Sequence, residues 1–390
     1  MNLPHRPAWI EVNLDHLEHN IAQVRKAISN STKICAVVKA DGYKLGVVQV
    51  AFTLINKGVD LLAVAILDEA LEIREALNDC DVLVLGYTPP VFFEQAIEKR
   101  IALTIYNEEH AIELNDTAKK IGKTAKIHIK IETGMNRLGF SANEKGVMAV
   151  KSICRLSHVE VVGIYTHLAR ADEKDKQWSY IQKEKFDKFY KSLEDVGVKI
   201  PIRHMANSAA IIDLPEFQYE MVRPGIMITG LYPSNKVDTK KVDLKVVFKL
   251  KAQLSFVKWI AKGEGISYGH QFVSENPMKI GTIPIGYADG LSRLLTDKLW
   301  VSINGMKCKV LGRICMDQCL VDLTSLPDAT IGDEVTIYGD GLDAEMTPDE
   351  VAARIGTINY EILTMLDRRL PRVYTQSGKT ISVKNYLVRG

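Results

Sequence analysis

No apolar stretch in this sequence is long enough to cross a bilayer. Where a secretory leader needs an apolar core, the N-terminus carries Pro4, Arg6 and Pro7. Both absences predict a cytoplasmic protein without a membrane partner. An excess of one charge is missing too: 50 basic residues stand against 48 acidic ones, a net charge of +2. No lysine/arginine run exceeds a short doublet or two, so nothing calls for nucleic acid or an anionic membrane surface. Cysteine is sparse: the six (Cys35, Cys80, Cys154, Cys308, Cys315, Cys319) contain no Cys-x-x-Cys pair. Cys315 and Cys319 stand four apart, but no second pair or clustered histidines complete a metal site. Reduced, mostly buried thiols and no metal are expected. A Gly-x-Gly-x-x-Gly turn after the first strand-like run is also absent, which argues against an open dinucleotide-binding sheet. No long Gly/Ser linker interrupts the chain.

What is present fits an ordinary globular protein, with 46% hydrophobic and 25% charged residues. The 390 residues exceed what one core holds, so two domains are expected. Asn13 is placed to cap a helix carrying Leu14, Leu17, Ile21, Val24 and Ile28 at three- and four-residue spacing. β-branched runs at 34–39, 61–66, 82–86, 101–105, 126–131, 161–167, 202–206 and 225–231 then alternate with amphipathic segments. Eight strands in strict alternation with helices predict an α/β fold, a (β/α)8 barrel of the TIM type over residues 12–240. After about residue 240 the texture becomes strand-like at 246–256, 279–285, 301–311, 320–323 and 335–338. Asn304-Gly305 is a hairpin turn signal, and Thr347-Pro348-Asp349-Glu350 starts a helix running to near Gly356. Residues 241–390 are therefore expected to form a mainly β C-terminal domain, with residues 1–11 open to joining it.

Lys39 ends the apolar run Ile34-Cys35-Ala36-Val37-Val38 and is followed by Asp41-Gly42-Tyr43 and Gly46. An amine at the mouth of a buried strand can condense with a carbonyl cofactor, although most strand-end lysines are only solvated caps. In a barrel the working residues lie at the C-terminal ends of the strands. Those ends supply Lys39, the stretch from Lys130 to Arg137, His167, Asn207-Ser208, and Arg223-Pro224-Gly225 at the entry to the eighth strand.

At these positions the chain resembles the alanine racemases. The resemblance rests on Ala36-Val37-Val38-Lys39-Ala40 with Tyr43 and Gly46, and on eight further segments in the same order. These are Glu132 to Gly139, Tyr165-Thr166-His167, Ala206-Asn207-Ser208, Arg223-Pro224-Gly225, Ser267-Tyr268-Gly269, Pro284 to Gly290, Cys315-Met316-Asp317 and Asn359-Tyr360-Glu361. Together they span essentially the whole chain. The fold the resemblance implies is a (β/α)8 barrel followed by a β domain, in a homodimer whose active sites are shared between subunits.

The implied cofactor is pyridoxal 5'-phosphate, attached to Lys39. Lys39 and Tyr268 would be the two acid/base groups on opposite faces of the substrate Cα, Tyr268 coming from the partner subunit. A free phenol ionises near ~10, so it needs a hydrogen-bonded neighbour such as His167. Arg223 would face the pyridine nitrogen, and a guanidinium cannot accept a proton. That disfavours transamination and decarboxylation. Phosphate contacts fall to Tyr43, Ser208, the amides of Gly225 and Ile226, and Tyr360. Arg137 and the backbone of Met316 would bind the substrate carboxylate, with Tyr287 lining the entrance. Lys130, near Arg137, is implied to be carbamylated.

The chain departs from the family pattern at Lys44-Leu45, where Gly-His is common, and at Asp41-Gly42. Glu132 stands for an aspartate and Asn136 for a glycine. The expected activity is isomerisation of L- and D-alanine, supplying D-alanine for peptidoglycan. Competing readings are a serine or broad-specificity racemase, a related pyridoxal-phosphate decarboxylase, and a non-enzymatic cofactor carrier. Arg223 and Tyr268 speak against the decarboxylase, and the second domain speaks against the carrier.

Overall fold

Short parallel strands alternate with helices between Lys33 and Val222 and close on themselves in the computed structural model, which describes residues 5–388. The eight are Lys33–Val37, Leu61–Val64, Val82–Val84, Ile101–Ile105, Ala125–Glu132, Val159–Tyr165, Ile202–His204 and Met221–Val222. Closure comes where Met221 pairs with Lys33 and Val222 with Ile34. Most of these strands are apolar without alternation because helices cover one face and the barrel interior the other. Cys35, Val37, Leu61, Ala63, Leu83, Ala102 and Met221 fill part of that interior as one cluster.

The expected eighth strand at 225–231 is not there. The strand is Met221–Val222, and Ile226–Thr229 forms a single 3-10 turn. Pro224 cannot donate to a ladder, and Gly225 at φ −122, ψ −99 leaves the extended region. The apolar 226–231 segment is buried on all sides, which imitates a strand in hydrophobicity alone. Arg223-Pro224-Gly225 therefore leaves the eighth strand rather than entering it.

One compact unit holds this barrel, over Leu17–Gly42 and Val47–Leu244; the other holds residues through His16, Tyr43–Gly46 and Lys245 onward. Asn13 caps the helix Leu14–Ala27 as expected, its Oδ1 accepting from the His16 amide at 3.1 Å. Residues 1–4 and 389–390, which both domain expectations touched, lie outside the described residues.

In the second unit a ten-stranded sheet includes Ala8–Asn13, antiparallel to Phe248–Gln253 and parallel to Arg372–Gln376. Asn304 (φ 51) and Gly305 (φ 74) make the two-residue turn between Trp300–Ile303 and Met306–Leu311. Thr347 caps Pro348–Ile355 in a capping box, and Gly356 ends that helix at φ 75. The strands Ala8–Asn13, Arg372–Gln376 and Lys379–Lys384 were not among the sequence candidates. The last of these is largely exposed and carries lysine at both ends, which hides it from a hydrophobicity reading.

Candidate active site

Lys39, Lys130, Arg137 and Arg223 all bear on His167 at the C-terminal mouth of the barrel. Burial first, then these cations, push the His167 imidazole well below its ordinary range, so it is neutral. The Lys39 amine is itself held down by desolvation, then by Arg137, with Glu69 opposing. Lys130 is buried, and burial, Arg223 and Arg137 bring its amine down to about 7 against the pull of Glu132. Its Nζ donates to the Ile131 carbonyl at 2.9 Å and lies 5.4 Å from the Tyr165 ring centroid. No carboxylate forms an ion pair with Lys39, Lys130, Arg137 or Arg223 among the described residues. Such a cluster is built to receive anions.

Arg223 is fixed by three further contacts. Its Nη2 donates to the Thr166 carbonyl at 2.7 Å and the Met205 carbonyl at 3.2 Å, and its Nη1 donates to His204 Nδ1 at 2.9 Å. A guanidinium only donates, so His204 accepts at Nδ1 and must carry its proton on Nε2. That proton is given to His128 Nδ1, 2.9 Å away. Both rings stay neutral: burial and then Arg223 lower His128 to about 3, and the same two causes push His204 far down. Tyr165 stacks on His204 at 4.6 Å, with its hydroxyl 3.0 Å from that of Thr104. Gly163 makes the room, because a Cβ there would lie 2.3 Å from the His128 ring. The relay leaves Arg223 with hydrogen-bond donors and nothing beside it that could take its charge.

After Lys39 the backbone turns left-handed. Ala40, Asp41, Gly42, Tyr43 and Lys44 have φ of 55, 58, 63, 56 and 66. Two carboxylates tie this turn: Glu69 accepts from the Ala40 amide at 2.5 Å, and Asp41 from the Val47 amide at 2.8 Å. Tyr43 is buried, and burial raises its phenol. Farther round the barrel mouth, the buried Ser208 Oγ accepts from the amides of Gly225 (2.9 Å) and Met227 (3.4 Å). The Gly225 amide is thus spent on Ser208, leaving the Ser208 hydroxyl proton to be donated.

Tyr268 stands in the second unit at the tip of a strained turn, with Ser267 at φ 60, Gly269 at φ 73 and His270 at φ 43. The phenol is 70% exposed, yet its base is rigid: Ser267 Oγ donates to the Arg313 carbonyl at 2.6 Å. Tyr268 and Met316 line the same open cavity of about 630 Å3, together with Cys315 and Asp317. The Tyr287 amide donates to the Cys315 carbonyl at 3.1 Å, and that of Ala288 to the Met316 carbonyl at 3.0 Å. A Cβ on Gly286 would sit 2.3 Å from the Cys315 oxygen, so the two loops touch backbone to backbone. Buried Asp289, bonded to Arg6 at 2.5 and 2.7 Å, anchors the Tyr287 loop. Tyr360 lies half-buried on the helix Asn359–Thr364. The structure therefore groups Lys39, Lys130, Arg137, His167 and Arg223 in one unit, and Tyr268, Tyr287 and Met316 in the other.

His128, His204 and Glu69 escaped the sequence reading. Strand alternation was the available signal for His128, which sits two residues from Lys130 and so shares its face. Among the described residues no group of three His, Cys, Asp or Glu could hold a metal ion. The donor set suits a phosphate-bearing carbonyl cofactor: an amine of lowered basicity, a buried hydroxyl free to donate, and cations without counter-ions.

Comparison with known proteins points the same way. Residues 12–233 match the family model "Alanine racemase, N-terminal domain", and residues 247–374 match "Alanine racemase, C-terminal domain". An alanine racemase of Clostridium perfringens is 45% identical over 387 residues, 99% of this chain and all of its own. One from Clostridium novyi is 44% identical, covering 98% of this chain and 99% of its own. The solved alanine racemase of Clostridium difficile 630 superposes with a TM-score of 0.96 at 40% identity, covering 99% of this chain and 100% of that one. The crystal structure of alanine racemase from Bacillus anthracis with bound L-Ala-P gives 0.92 at 34% identity, covering 99% of each chain.

Proposed function

The chain belongs to the alanine racemase family, and from that premise we propose that Lys39 and Tyr268 are its two acid/base groups. Its reaction is the interconversion of L- and D-alanine, its cofactor is pyridoxal phosphate, and the serine-racemase and decarboxylase alternatives are not favoured. The observation that carries the residue assignment is the convergence of Lys39, Lys130, Arg137 and Arg223 on a neutral His167 without a carboxylate. Bound pyridoxal phosphate supplies the electron sink that makes the Cα proton of alanine removable.

Lys39, its basicity lowered by burial and Arg137, holds and returns that proton on one face. Tyr268 does so on the other. Arg137 and the Met316 amide orient the substrate carboxylate, and Tyr287 narrows the approach. Arg223, held by His204, would meet the cofactor ring with donors only, and with no group there to supply a proton it would favour return of the proton to Cα. Ser208 would donate its hydroxyl to the phosphate, with Tyr43, Tyr360 and the amide of Ile226 as the other expected contacts; the Gly225 amide, spent on Ser208, holds that hydroxyl in place instead of binding the phosphate itself. Lys130, with an amine near 7, is unprotonated often enough at neutral pH to add CO2. As a carbamate it becomes an anion for Arg137 to pair with. An intact mass without that addition would remove this assignment.

The working form is a homodimer whose sites are completed by Tyr268 of the partner subunit. An exposed phenol on a rigid turn supports this, and so does its shared cavity with Met316, which the partner would contribute as well. The enzyme is assigned to the cytoplasm, supplying D-alanine for peptidoglycan. No helix among the described residues is long and apolar enough to cross a membrane.

Incubation with single L- and D-amino acids in deuterated water tests the reaction: Cα exchange and inversion of alanine are expected, and loss of CO2 would refute it. Mixing inactive Lys39→Ala and Tyr268→Phe proteins tests the shared site. Hybrid dimers hold one intact site and should regain activity, and no recovery would place Tyr268 with its own subunit's Lys39.

A further inference from the structure

The second half of the left-handed turn is gripped by two residues with no part in the assignments above. Arg372 is fully buried, and its Nε donates to the Lys44 carbonyl at 2.8 Å. Its Nη1 donates to the carbonyls of Leu370 (2.5 Å) and Asp367 (3.0 Å), and the guanidinium lies 4.9 Å from the Tyr386 ring. No carboxylate pairs with it among the described residues, and its Nη2 has no hydrogen-bond partner. Tyr374 donates its hydroxyl to the next carbonyl, that of Leu45, at 3.0 Å. Gly46 (φ 93) makes this approach possible, because a Cβ there would fall 1.8 Å from the Tyr374 oxygen. A buried guanidinium spent on backbone carbonyls is costly to keep unless the backbone it holds matters.

We propose that Arg372 and Tyr374 are positioning residues that hold the turn so that Tyr43 meets the cofactor phosphate. The proposal rests on the reading of Tyr43 as a phosphate ligand. Left-handed φ is disfavoured for Ala40, Asp41, Tyr43 and Lys44, so the turn persists only where surrounding bonds over-determine it. Its first half is held by Glu69 and by the Asp41 cap on Val47. Beyond Tyr43 the carbonyls of Lys44 and Leu45 are held by Arg372 and Tyr374. Releasing them lets Tyr43 and Lys44 relax toward ordinary φ, which swings the phenol away while Lys39, at the other end of the turn, stays in place.

The test titrates apoenzyme with pyridoxal phosphate and, separately, with pyridoxal, which lacks the phosphate. Binding is followed by cofactor absorbance for the wild type and the Arg372→Met, Tyr374→Phe and Tyr43→Phe variants. All three are expected to weaken pyridoxal phosphate about tenfold, the worth of one hydrogen bond to a charged group, and to leave pyridoxal within about twofold. Equal weakening of both ligands in Arg372→Met and Tyr374→Phe would mean a merely structural role and overturns the proposal, as would no change in either. If Tyr43→Phe loses phosphate discrimination while those two variants keep it, the clamp fails and the Tyr43 reading stands. If Tyr43→Phe keeps it, that reading falls and takes the proposal with it. Should Arg372→Met not fold, Tyr374→Phe removes only one hydroxyl and carries the test alone.

Discussion

Replacing Lys130 by methionine should stabilise the apoprotein near neutral pH in CO2-free buffer, an uncommon direction for a change at a buried site. Lys130 is 4% exposed, and its amine is brought from 10.5 to about 7 by burial first and by Arg223 and Arg137 after it. The folded value lies below the unfolded one. Between about 7 and 10.5 the unfolded chain therefore binds the extra proton, and stability rises with pH across that window. The penalty is complete below about 7 and gone above 10.5. At about 1.4 kcal/mol per unit, the whole window from 10.5 down to about 7 is worth roughly 5 kcal/mol. Methionine fills a similar volume with no charge to desolvate.

Urea unfolding of both proteins at pH 7 and pH 10 measures the difference. The variant should lead by up to roughly 5 kcal/mol at pH 7 and by little at pH 10. A destabilised variant at pH 7, or a gap that ignores pH, would refute the account of a buried, unpaired amine. Bicarbonate turns the comparison round. Carbamylated Lys130 is an anion beside two arginines, so the wild type should then become the more stable protein.

Lys44→Gly should raise stability in chemical denaturation by roughly 0.5–1 kcal/mol, because Lys44 holds φ 66; a loss would mean that the lysine is not strained there. His128 stays neutral down to about 3, below the usual imidazole value, so it costs stability as pH falls from about 6.5 toward 3. His128→Asn should remove about one proton from the uptake on acid unfolding, read as a shallower slope of stability against pH; an unchanged slope would show that His128 is not the group titrating. Tyr268→Phe should slow deuterium exchange into L-alanine more than into D-alanine, and equal slowing would count against two bases on opposite faces.

The barrel and its rim were legible because both follow from periodicity: seven strand positions and the ends carrying Lys39, Lys130 and His167 needed only alternation and topology. The eighth strand was not, since 226–231 is apolar for reasons of burial and only the Pro224-Gly225 geometry reveals a turn. Residues that act on backbone atoms from far along the chain stayed hidden. Glu69 and Arg372 belong to no motif or periodic pattern, and nothing local marks the amide of Ala40 or the carbonyl of Lys44 as their partner.

The departures from the family pattern also change meaning once their φ values are known. Lys44 (φ 66) and Asn136 (φ 55) each stand for a glycine, and each keeps a left-handed conformation that glycine adopts freely. The longer Glu132 still accepts from the Gly134 amide, and although burial opposes it, the amides of Asn136 and Gly134 hold its carboxyl low. These substitutions leave the backbone on the path a glycine would take and add strain to it. Strain of that kind persists only where something else pins the chain, and at Lys44 the pin is a carbonyl bond from Arg372. Sequence departures in this turn and the buried arginine are therefore linked: the first are tolerable because of the second. A chain that lost Arg372 should do better with glycine restored at position 44.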